Sequence, residues 1–105
     1  MAMSTASDTI RLVVFNACFS EAQAQSVVDY VDAAIGMSAS IGDEAACVFA
    51  SQLYSAIGFG LSLQTAFRQA IAQLMLEGIK EENTPKLYVK NGLDANDIVL
   101  VQPLS

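Results

Sequence analysis

Residues 11–23 read RLVVFNACFSEAQ, and the reading of this stretch decides the fold. Arg11 to Asn16 is a short apolar run rich in β-branched and aromatic residues, the signature of a buried strand. Ser20-Glu21-Ala22-Gln23 has the S-x-x-Q form of a capping box, which predicts a helix from there to about Tyr30 with Ala24, Val27, Val28 and Val31 on its apolar face. Ala33 to Met37 (AAIGM) is a second strand-length run. Two such runs joined by a helix predict a parallel βαβ unit with helices packed on the sheet.

Downstream, Ser40-Ile41-Gly42-Asp43 is a helix-entry signal, with Ser38, Ser40 and Asp43 as capping residues of the helix that follows. That helix is expected over Asp43 to Ile57, ended by Gly58 and Gly60. Ser62 opens a third, in which Leu63, Ala66, Phe67, Ala70, Ile71, Leu74 and Met75 recur at helical spacing until Gly78. After the break at Asn83-Thr84-Pro85, Lys86 to Lys90 (KLYVK) reads as an edge strand, Asn91-Gly92 as a turn, and Ile98 to Val101 (IVLV) as a final β run. The expected fold is α/β: a three-layer half-domain with a short, mostly parallel sheet, helices on both faces and a C-terminal edge strand. Residues 1–9 (MAMSTASDT) read as a disordered or artificially added start, and 10–105 as the half-domain.

The chain of 105 residues is long enough for one core, and its composition, 53% hydrophobic and 15% charged, is far from that of a disordered chain. A net charge of −6 argues against nucleic acid and anionic membrane surfaces as partners. Ala45 to Phe67 carries no charge, but its serines, glutamines and glycines read as a buried helix followed by a turn instead of a membrane span. With no histidine and only Cys18 and Cys47, no metal site or cofactor is expected. The thiols are expected to be reduced in a cytoplasmic protein, with Cys47 packed in mid-helix. The acidic cluster Glu77, Glu81 and Glu82 reads as a solvated loop. Asp94, Asn96 and Asp97 lack the spacing of a calcium loop.

Cys18 falls just past the first strand and just before a helix start, where ligands gather in open α/β sheets. A thiol there is either a reactive group or a small packed hydrophobe.

The series LVVFNACFSEAQA (12–24), AAIGMSASIGDEAACVFASQLYSAIGFGLSLQTAFRQA (33–70) and LEGIKEENTPKLYVK (76–90) resembles the C-terminal half of bacterial caspase-like cysteine peptidase domains of the CHAT group. By that resemblance Cys18 stands at the nucleophile position. The family's general base is a histidine at the end of an earlier strand, and this sequence, read as beginning after that point, has none. Asn16 stands where relatives that cut after Arg or Lys carry an Asp. Ser38-Ala39-Ser40 stands where relatives that cut after Asp carry an Arg. The resemblance leaves Cys18 as a vestigial or partner-dependent nucleophile and Asn16, Ser38, Ser40 and Asp43 as candidate residues of a substrate cleft. Two functions follow: a non-catalytic dimeric or partner-binding module, or the nucleophile-bearing part of a peptidase completed by a histidine-bearing segment or chain. In either case the first strand would expose an unpaired edge. A homodimer, through this edge or through the C-terminal run Ile98 to Val101, or a missing N-terminal half-domain docked through a strand edge, is the expected partner.

Overall fold

In the computed structural model, which describes residues 11–101, three strands form one sheet in the order β1 (Leu12–Val14), β2 (Ala33–Met37), β3 (Pro85–Val89). β1 and β2 run parallel, joined through α1 (Glu21–Val27). β2 and β3 are antiparallel, with Ala33 opposite Val89 and Met37 opposite Pro85. The sheet is therefore mixed, not mostly parallel. The helical hairpin of α2 (Asp43–Gly58) and α3 (Leu63–Leu76) brings the chain back at the end from which β3 must run the opposite way. The expected start, residues 1–9, lies outside the described residues.

Strand alternation sorts the side chains into two layers. Ala33, Ile35 and Met37 face the α2–α3 hairpin and join Phe49, Leu53, Leu63, Ala66, Ala70 and Leu74 in one buried cluster. Leu12, Val14, Leu87 and Val89 pack against its rim. The opposite face, through Ala34, Gly36 and Tyr88, carries α1. Helices thus cover both faces. Phe49 and Phe67 meet edge to face, with centroids 5.8 Å apart and planes at 79°.

The expected α2 and α3 form with the turn between them, and among the described residues no helix is long and apolar enough to cross a membrane. Ser62 caps α3 by accepting the Thr65 N–H at 3.2 Å, and Gly78, at φ 72°, follows its end. The final β run does not form. Ala95–Asp97 is a 3₁₀ turn, and Ile98 to Val101 continues without strand structure. Ile98 is buried instead against α3, where its carbonyl accepts the Leu63 N–H at 2.7 Å. Pairing with the helix start uses the backbone that a ladder would need.

Candidate functional site

The site lies where β1 ends. The parallel ladder runs through Ala33 N–H to Arg11 O (2.9 Å) and Phe15 N–H to Ile35 O (2.8 Å), and its next rung would join Met37 N–H to Phe15 O. Ser20 takes that place. Its buried hydroxyl accepts the Met37 N–H at 3.0 Å and donates to the Phe15 carbonyl at 3.4 Å, so one side chain bridges the two strands after the backbones have parted. The capping box is accordingly absent, because the hydroxyl that would cap α1 is spent on the sheet; Ser20 occupies the N-cap position without a side-chain cap bond.

Ser20 also brings α1 down onto β2. A Cβ on Gly36 would lie 2.8 Å from the Ser20 carbonyl oxygen and 2.8 Å from the Ala24 Cβ, so only glycine admits the helix at this height. Between Phe15 and Ser20 the chain makes an outward turn containing Cys18, with Phe19 in the left-handed region at φ 55°. Phe19 N–H donates to Ala39 O at 3.3 Å, which ties this turn to the loop after β2.

The structure brings together some of the expected cleft residues and disperses others. Asn16 and Cys18 are exposed in the first loop, and Ser38 sits beside it in the second. The Ser38 hydroxyl is engaged with the Thr84 carbonyl (3.1 Å) and the Asn83 carbonyl (3.4 Å), so it fastens the start of β3 instead of capping α2. Ser40 is exposed. Asp43 is the first residue of α2, next to the N-cap Gly42, and makes no cap bond. The α2 cap comes from a residue read as solvated: Glu81 accepts the Gly42 N–H at 3.1 and 3.4 Å. No sequence-local spacing could have signalled it, since the two are far apart along the chain. Cys47 is also corrected: it is exposed, in a shallow polar depression with Ser51, Gln73 and Glu77.

Beside Cys18 lies a feature missed in the sequence. Phe15, Phe19, Ala22, Gln23, Ser26, Val27 and Tyr30 line an open groove of about 730 Å³ along α1, next to the residue that follows β1. Phe19 and Tyr30 are 67% and 83% exposed, and none of the lining side chains is charged. The signal was present in the sequence as Phe19 just before the predicted helix and Tyr30 at its end, off the apolar face.

On the other side of α1, the Tyr88 hydroxyl donates to the Glu21 carboxylate. Burial, followed by that hydrogen bond and the Glu21 charge, pushes the phenol from 10.0 to about 12. Because the folded value is raised, the contribution of this phenol to stability is complete below pH 10 and is lost as pH rises toward 12. Thermal melts between these limits are expected to show a steeper fall for the native protein than for Tyr88→Phe; parallel curves would refute the coupling.

Among the described residues no group of three His, Cys, Asp or Glu stands close enough to hold a metal ion. No protein-family model matches the chain, and no curated protein matches it.

Proposed function

We propose that this chain is a caspase-like half-domain of the CHAT type that acts without catalysis, as a dimeric or partner-binding module of the bacterial cytoplasm. Support comes from the order of its elements. The resembling series falls in turn on β1 and α1, on β2 with the α2–α3 hairpin, and on β3. The observation that carries the association reading is β1 itself, a parallel strand at the sheet edge among the described residues, followed by Phe15 in an uncharged groove. Parallel strands ordinarily have neighbours on both sides, so this edge is a place for another strand. Residues 1–105 carry no histidine, so the base that the resembling family uses is not among their side chains, and a peptidase reading needs that base from elsewhere.

One observation favours the second reading. Cys18 is exposed just past the carboxyl end of β1, where a nucleophile would meet its substrate if another segment or chain supplied the histidine. The deciding experiment compares the native protein with Cys18→Ala on fluorogenic peptides ending in Asp, Arg or Lys, together with iodoacetamide labelling of Cys18 in a Cys47→Ala background. No Cys18-dependent hydrolysis is expected, and labelling no faster than in the urea-unfolded chain. Hydrolysis lost in Cys18→Ala would overturn the non-catalytic reading.

A further inference from the structure

We infer that the β1 edge is occupied by a second copy of this chain, paired antiparallel about a two-fold axis that passes beside Val13 and stands normal to the sheet. The inference rests on the association reading above and names its partner.

The ladder bonds turn the peptide groups of Arg11, Val13 and Phe15 toward β2. Those of Leu12 and Val14 therefore point outward, and no other described residue bonds them. Their two-residue spacing is self-complementary. Leu12 of one copy can exchange both hydrogen bonds with Val14 of the second, and Val14 with Leu12, so that four bonds form and Val13 faces its counterpart in a non-hydrogen-bonded position. A two-fold axis normal to the sheet also keeps the layers in register. Leu12 and Val14 stay on the α2–α3 side in both copies, and both aromatic grooves fall on the α1 side.

Spacing and charge agree with this occupant. α1 lies over β2 and β3, so the two α1 axes would stand three to four strand spacings apart, roughly 14–19 Å. Helices in direct contact lie about 8–10 Å apart. The surplus is room for side chains from both copies, and Phe15, Phe19 and Tyr30 are the large exposed or half-exposed groups facing it. No acidic side chain lines the groove, so the net negative charge of each copy lies elsewhere. Arg11, the cation at this edge, is paired with Asp32 at 2.8 Å and also donates to the Val99 carbonyl at 3.4 Å, which holds the C-terminal segment at the start of β1. The opposite edge is unsuited to the same use: β3 opens with Pro85, which has no N–H to give, and carries Lys86, with Lys90 just past its end.

The test places a reporter at the axis. Facing residues at a non-hydrogen-bonded antiparallel position have Cα atoms about 4.5 Å apart, within disulfide range. Val13→Cys in a Cys18→Ser, Cys47→Ser background is expected to give a covalent dimer on a non-reducing gel after mild oxidation, whereas Lys86→Cys in the same background stays monomeric. Light scattering of the native protein is expected to give a dimer at micromolar concentration. Val13→Lys, which sets like charges face to face on a residue only half-buried in the monomer, should weaken the dimer at least about tenfold. A monomer by light scattering overturns the inference, and so does a dimer in which Val13→Cys fails to cross-link. Neither result removes a different partner at this edge, so a failure here is distinguishable from a failure of the association reading.

Discussion

Phe49→Ala is expected to lower the free energy of unfolding by about 3–5 kcal/mol, a large share of the roughly 5–15 kcal/mol available to a domain of this size. Phe49 is fully buried in α2 and belongs to the cluster that joins the hairpin to the sheet face. Its ring is set edge to face against Phe67 of α3, so truncation loses transfer free energy, leaves a cavity, and removes an aromatic pair that links the two helices. Urea titration followed by circular dichroism reads the loss directly. Phe59→Ala serves as the comparison. That ring is 75% exposed just past the end of α2, and its removal should change stability by no more than about 0.5 kcal/mol. Equal effects for the two substitutions would mean that the core is not centred on the hairpin.

Gly36→Ala is the second large effect, and its sign separates packing from propensity. Alanine in a strand loses less backbone entropy on folding than glycine, so local preference alone would predict stabilisation. Packing predicts the opposite. The added methyl would meet Ser20 O and Ala24 Cβ, both at 2.8 Å, and the Glu21 Cα at 3.1 Å. Two of the three are backbone atoms of the first turn of α1, which cannot swing aside as a flexible side chain would. Relief requires lifting the helix, which would pull the Ser20 hydroxyl off the Met37 N–H and Phe15 carbonyl. A loss of about 1–3 kcal/mol or more is expected by denaturant unfolding. Adding Ala24→Gly should restore only part of it, since the Ser20 carbonyl remains in place. A neutral or stabilising Gly36→Ala would show that α1 does not sit at this height.

Much of the architecture was legible because it follows from local periodicity. The strand runs read at 11–16 and 33–37, the amphipathic repeats of α2 and α3, and the serine cap at Ser62 all act within a few residues; all appear, the first strand shortened to Leu12–Val14. Tertiary competition explains what was misread. Ser20 carries a sound capping signal, but the unfinished rung between Phe15 and Met37 takes its hydroxyl. Glu81 seemed a solvated charge until the fold placed it against the N–H of Gly42. The IVLV run has strand propensity, yet Ile98 is drawn to the bare start of α3. At the candidate site the sequence located Cys18, Asn16 and Ser38 at one end of the sheet. The groove beside them depends on where α1 settles across the strands, which residue spacing alone does not determine.

The contrast between the two sheet edges limits how large an assembly can grow. In the proposed dimer an isologous contact through β1 would consume that strand in both copies, and the sheet of six described strands would end on either side in β3. Each terminus then shows Pro85, Lys86 and Lys90, a poor template for a further strand. In the proposed dimer, sheet extension would therefore stop at two chains, closing the assembly in place of an open filament.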